Sequence, residues 1–187
     1  MTIYLASASP RRKDLLERLG FTVSVHPADV DESMLDGESP VAYAERTARL
    51  KASVGPDSAL ILAADTVVHL DDAVLHKPSS RTEAGEHLHA LSGRTHRVTT
   101  GVCVRRGAEI VTWSVTTDVT FRELTAQEIE AYLATGEADD KAGAYGIQGI
   151  GGTLVAAVSG SWTNVMGLPI ETVIAPLTER GAARWTP

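Results

Sequence analysis

Runs and alternations of apolar residues divide the chain into short segments. "TIYLAS" reads as a brief strand leading into a helix, with Ser9 as N-cap, Pro10 at the first helical position, Leu15, Leu16 and Leu19 as its apolar set, and Gly20 closing it. "FTVSV" alternates Phe21, Val23 and Val25 against Thr22 and Ser24 as a half-buried strand, and a polar loop with "DVDESM" follows. "VAYAERTARLKASVG" predicts a helix ending near Gly55, and "ALILAADTVV" predicts a central strand buried on both faces, its apolar part ended by Asp65. "LDDAVLHKP" is a turn and return strand. In "TEAGEHLHALSG", Ala84, Leu88 and Leu91 share a helix face and Gly93 stops it.

The pattern then changes period. "HRVTTGVCVRRG" and "EIVTWSVTTDVTF" are long strands around a turn from Arg105 to Ala108, an antiparallel pair. "TAQEIEAYLATG" carries a capping box, Thr125 with Glu128, and the stripe Ile129, Tyr132, Leu133. The glycine-rich "DDKAGAYGIQGIGG" precedes a strand in "TLVAAVSGSW". A last helix starts around Pro169, and Pro176 should kink or end it. Strands and helices interleave without strict βαβ alternation, so the expected class is α/β with a mixed central sheet and flanking helices, one domain over residues 1–187.

Composition narrows the classes. No apolar run approaches the ~18 residues of a membrane span. The first nine residues are too short for a secretory signal, and their positive cluster follows the apolar segment, so a cytoplasmic protein is expected. A net charge of −7 argues against a broad nucleic-acid-binding face. The single cysteine, Cys103, lies within an alternating strand and reads as a buried thiol. His87 and His89 are two apart on a helix, and "GEHLH" is not HExxH, so no zinc site is expected.

Arg11 and Arg12 are the first anomaly. They put two positive charges in the first turn of a helix, where the dipole is already positive. With the serines of "SASPRR" and the free backbone N–H groups they outline an anion site, phosphate being the obvious occupant. In isolation they also suit a surface helix paired with Asp14 and Glu17. Walker A and GxGxxG are absent. Asp65 places a carboxylate at the end of a buried strand, where open α/β sheets put ligands, or where an aspartate caps a turn. Glu32, Lys51 and Lys77 are anonymous singly.

Together, "LASASPRR", "DES", "RTARLKA", "AADTVV", "HKP", "LSGRTHRVTTGV", "DKAGAYGIQGIGG" and "VMGLPIETV" resemble the Maf family of nucleoside triphosphate pyrophosphatases nearly end to end. The resemblance implies a cytoplasmic, dimeric enzyme with a mixed sheet, two lobes around a cleft, and a fold related to the inosine triphosphate pyrophosphatases. It assigns Ser7, Arg11 and Arg12 to the phosphate and substrate loop, Glu32, Lys51, Asp65 and Lys77 to the reaction centre, and Thr66 and Gln148 to the base. "ADT" and "GIQG" are those of the branch acting on dTTP and UTP; a sister branch for 7-methyl-GTP has Gln after the Asp and Glu in place of Gln148. Two departures are small: "SAS" stands where the family often has Gly between the serines, and His76 precedes Lys77 where Gly or Glu is commoner.

The chemistry agrees. Cleavage between the α and β phosphates needs cations for dispersed negative charge, a divalent ion and a carboxylate to deprotonate water. Asp65 is the expected base, with Glu32 sharing the metal. Mg²⁺ suits such hard oxygen ligands, with Mn²⁺ or Co²⁺ as alternatives. Lys51, Lys77 and Arg11 would hold phosphate oxygens. The strain of the paired arginines would be relieved only when the triphosphate arrives, so that Arg12 adds nothing to the stability of the empty protein. The Gln148 amide offers a donor and an acceptor side by side, matching O4 and N3–H of uracil or thymine. Competing readings are a pyrophosphatase for modified nucleotides with a house-cleaning role, and a non-catalytic nucleotide-binding regulator of septum formation.

Overall fold

The computed structural model describes residues 1–183. Seven strands form one mixed sheet: β1 (Ile3–Leu5), β2 (Val23–Val25), β3 (Leu60–Leu70), β4 (Ala73–Leu75), β5 (Thr95–Arg106), β6 (Glu109–Phe121) and β7 (Val155–Ser159), in the order β2-β1-β3-β5-β6-β7, with β4 on β3. β1 runs parallel to both β2 and β3, whereas β4 and β7 pair antiparallel with β3 and β6. The helices are α1 (Pro10–Arg18), α2 (Pro40–Ser53), α3 (Arg81–Leu91), α4 (Ala126–Leu133), α5 (Trp162–Val165) and α6 (Ile170–Glu179). The α/β class with a mixed sheet and flanking helices is as expected. No helix among the described residues is long and apolar enough to cross a membrane.

Local signals act where expected. Pro10 begins α1 after Ser9, and Gly20 beyond its end takes φ +80°. The capping box of α4 is complete: Thr125 Oγ1 accepts the Glu128 N–H, and Glu128 accepts the Thr125 N–H at 2.8 Å. Two expectations are corrected. Asp65 does not end a strand, because β3 continues to Leu70 and Asp65 is its sixth residue. The β1 ladder on β3 ends at Leu62 and that of β4 begins at Val68, so Asp65 and Thr66 fall between them as a half-buried interruption in a buried strand. Val25 of β2 is exposed, not inward. Helix α6 runs three residues past Pro176; Thr178 Oγ1 donates to the Ile174 carbonyl at 2.9 Å, and Arg180 donates to that of Pro176 at 3.2 Å, which supports the last turn from its side chains.

The chain divides into two compact units, the first made of Met1–Asp65, Thr100–Val115 and the segment from Gly167 onward, the second of Thr66–Thr99 and Thr116–Met166. In the first, the small residues Ala48 and Ala52 of α2 pack on Ala6, Ile61, Ala63 and Cys103. The packing is close enough to require a glycine: a Cβ on Gly101 of β5 would lie 2.3 Å from the Ala44 carbonyl of α2. Arg105 fastens the end of α2, Nε donating to the Ala52 carbonyl at 2.9 Å and another nitrogen to that of Gly55. Cys103 is a free buried thiol, its pKa raised by burial. The second unit has its own core, in which Phe121, Leu88, Leu91, Ile129 and Tyr132 are central.

Candidate active site

Ser7 and Arg12 meet just beyond β1. The buried Ser7 Oγ accepts the Ser9 N–H at 3.2 Å and an Arg12 Nη1 hydrogen at 2.8 Å. With both bonds received, its own proton is the hydroxyl's remaining capacity, a donor suited to an anion. Arg12 falls with Leu15 and Leu16 on the buried side of α1, as i, i+3, i+4 spacing requires, and its Nε donates to the Gly167 carbonyl at 2.8 Å. Burial lowers its pKa, the Asp65 carboxylate opposes that, Arg11 adds to it and Glu32 opposes it. The expectation that Arg12 gains its partners only from an incoming triphosphate is therefore corrected: the protein supplies them. Asp14 and Glu17 are taken by Arg18 and Lys13. Arg11, one position earlier and off the buried stripe, is half-buried and makes no hydrogen bond or ion pair among the described residues.

Lys51 brings the acids together. From the last turn of α2 its Nζ donates to Asp65 Oδ1 at 2.8 Å and to Glu32 Oε2 at 2.7 Å. The ammonium and Asp65 are nearly enclosed, with side chains 11% and 13% exposed, while Glu32 is open at 45%. Asp65 is on α2's side because Ile61, Ala63 and Asp65 alternate along β3, and the first two already pack against Ala48 and Ala52. One oxygen of each carboxylate is committed to Lys51; the others, Asp65 Oδ2 and Glu32 Oε1, accept no hydrogen bond from the described residues.

Glu32 lies on a loop without regular structure, and residues that sequence reasoning passed over hold it there. The Tyr43 hydroxyl donates to the Glu32 carbonyl at 2.7 Å. Arg46 grips Glu38 with two bonds, 2.7 and 2.9 Å, and donates to the Ser33 carbonyl at 2.8 Å. Tyr43, Thr47 and Lys51 recur on the buried face of α2, so one helix both fastens the loop and presents the ammonium. That spacing upstream of Lys51 was the available signal. Burial, then Asp65 and Glu32, raise the Tyr43 pKa, which keeps it a donor.

Thr66, Lys77 and Gln148 belong to the second unit. Thr66 is half-buried on β3, Lys77 is exposed in the loop after β4, and Gln148 is exposed within the glycine-rich segment. Among the described residues no three His, Cys, Asp or Glu side chains gather as a metal-ligand set. Glu32 and Asp65 are two hard-oxygen donors sharing one ammonium. They fit an ion that completes its shell with phosphate and water, as Mg²⁺ does, and do not fit an all-protein cage.

The family described as Maf-like protein matches residues 2–180. The dTTP/UTP pyrophosphatase of Chromobacterium violaceum is 47% identical over 188 residues, covering 96% of this chain and 94% of the relative. That of Anaeromyxobacter dehalogenans is 49% identical over 96% of this chain and 94% of its own; that of Moorella thermoacetica is 49% identical over 98% and 97%. Among solved structures, the Staphylococcus aureus Ham1 protein matches at a TM-score of 0.48 and 14% identity, over 65% of this chain and 72% of that one.

Proposed function

The chain belongs to the Maf-like protein family, and on that footing we propose that it is a nucleoside triphosphate pyrophosphatase converting dTTP and UTP to the nucleoside monophosphate and pyrophosphate. The observation that carries the reading is Lys51 between Glu32 and Asp65: an enclosed ammonium with two half-committed carboxylates is machinery for hydrolysing an anhydride between anions.

In this reading Asp65 Oδ2 takes a proton from the water that attacks the α-phosphorus. The P–O bond to the bridging oxygen breaks, and the β- and γ-phosphates leave as pyrophosphate. Lys51 keeps the Asp65 carboxylate oriented through Oδ1 and lies beside the growing charge on the phosphoryl oxygens. Arg11, the Ser7 hydroxyl and Lys77 hold phosphate oxygens, and Arg12 orients Ser7. Glu32 and Asp65 would hold a Mg²⁺ ion, with Mn²⁺ or Co²⁺ as alternatives; bound with the substrate, it neutralises phosphate charge. Thr66 and Gln148 read the base. A cytoplasmic homodimer is the setting the resemblance implies.

The test is pyrophosphate release from dTTP, UTP, CTP, GTP and 7-methyl-GTP with each metal. Release confined to dTTP and UTP is expected. Uniform release points to a modified-nucleotide enzyme, and binding without release to a regulator of septum formation; either overturns the reading.

A further inference from the structure

The second unit holds a half-buried carboxylate arrangement that this chemistry leaves unused. Residues Gly146 to Gly149 form a turn, the Gly149 N–H donating to the Gly146 carbonyl at 3.1 Å, with Ile147 buried and Gln148 exposed at its tip. The two sides of that turn are tied to two side chains that are bonded to each other. Glu137 accepts the N–H of Ile150 on Oε2 and that of Gly151 on Oε1, each at 2.9 Å. The Tyr132 hydroxyl donates to Glu137 Oε1 at 3.0 Å and accepts the Gly146 N–H at 3.2 Å. One carboxylate and one phenol thus fix the backbone immediately before and after Gln148.

The glycines around it are cut to the same carboxylate. A Cβ on Gly149 would lie 2.1 Å from Glu137 Oε2, and one on Gly151 would lie 2.8 Å from the Tyr132 hydroxyl. Gly149 has an ordinary negative φ of −108°, so its missing side chain serves this approach and not the backbone conformation. Burial favours protonation of Glu137, but the two N–H groups, the Tyr132 hydroxyl and Lys141 outweigh it and keep the carboxylate ionised.

A carboxamide reads uracil through O4 and N3–H, yet turned by 180° it offers the reverse pair to cytosine N4–H₂ and N3. The amide alone cannot separate the two bases. Discrimination requires that the backbone beside it stay in place, so that only one orientation meets its partners. We propose that Glu137, with Tyr132, is a positioning residue that clamps the Gln148 turn and thereby sets the preference for uracil and thymine over cytosine; this rests on the proposed role of Gln148.

The test pairs a structural with a kinetic readout on the full chain. In Glu137→Gln, one of the two N–H groups faces an NH₂ instead of an oxygen. Amide hydrogen exchange at Ile150 and Gly151 should accelerate by roughly tenfold or more while α3 and α4 keep their protection. The ratio of kcat/KM for dTTP to that for CTP should fall about tenfold, with kcat for CTP unchanged. Gly149→Ala should reproduce the loss in the wild-type background and add little in Glu137→Ala, where the atom it meets is gone. Unchanged exchange overturns the clamp. Faster exchange with an unaltered ratio overturns its role in base choice. A wild-type chain that hydrolyses none of these nucleotides defeats the proposed function alone; calorimetric affinities for dTTP and CTP, wild type against Glu137→Gln, then decide the clamp by the same ratio.

Discussion

Lys51 Nζ stands 2.8 Å from Asp65 Oδ1, an ion pair between the last turn of a helix and the middle of a strand, with both side chains almost closed to solvent. Asp65→Asn keeps a polar group of the same shape at that point and loses only the charge and the basicity. We expect it to fold, to bind dTTP, and to lose turnover by ~10²-fold or more. Pyrophosphate release alongside binding of a non-hydrolysable dTTP analogue measures this; near-normal turnover removes Asp65 as the base.

Arg12 and Arg11 should part company. Arg12→Ala removes the guanidinium bonds to the Gly167 carbonyl and to Ser7 Oγ and takes away a buried cation near Asp65. A loss of about 2 kcal/mol, or roughly 4–8 °C in Tm, is expected without nucleotide. Arg11→Ala should leave the melt within about a degree and raise KM instead. Thermal melts of both variants, with and without dTTP, distinguish the two roles. Equal melts would show that the contacts of Arg12 carry no net stability.

Gln148→Glu exchanges the donor that meets O4 for an anionic oxygen. An unmade or repulsive pair costs about 1–3 kcal/mol, so kcat/KM for dTTP and UTP should fall about tenfold to a hundredfold, while GTP, whose N1–H and N2–H₂ both donate, loses less or gains. Steady-state kinetics on the five-nucleotide panel is the check. A uniform fall would mean that Gln148 holds the turn and does not read the base.

His96 gives the second unit an acid sensitivity with a definite sign. It is buried against Phe121 and Tyr145, Nε2 lying 2.9 Å from the Tyr145 hydroxyl, and burial, then His69, push its pKa from 6.5 down to about 4. Between those values the unfolded chain binds a proton that the folded chain refuses. Stability is thus complete above about pH 6.5 and is lost as pH falls, by ~3 kcal/mol at pH 4. Denaturant melts from pH 4 to 8 should show a shallower loss in His96→Gln than in wild type. Parallel curves would assign the loss to other groups.

What the sequence by itself determined is what acts within a helical turn or along one strand. Ser9 and Pro10 start α1, Thr125 and Glu128 cap α4, and the apolar run into β3 makes a buried strand interrupted by Asp65. Each depends on residues at most four apart or on simple alternation. Motif resemblance added Glu32, Lys51, Asp65 and Lys77 as a set; Lys51 bonds both carboxylates, while Lys77 lies exposed in the second unit. Tertiary structure alone decided what the buried arginine meets, because Arg12 takes its partner from Gly167, 155 residues away, once α1 has turned its apolar side inward. It also decided where the ladders on β3 stop and start, the β4 ladder beginning only at Val68 and so leaving Asp65 and Thr66 between two neighbours. The clamp from Glu137 to the Gln148 turn spans 13 and 14 residues of irregular chain. In such a segment periodicity carries no information, and only the close approach permitted by glycine brings carboxylate and backbone together.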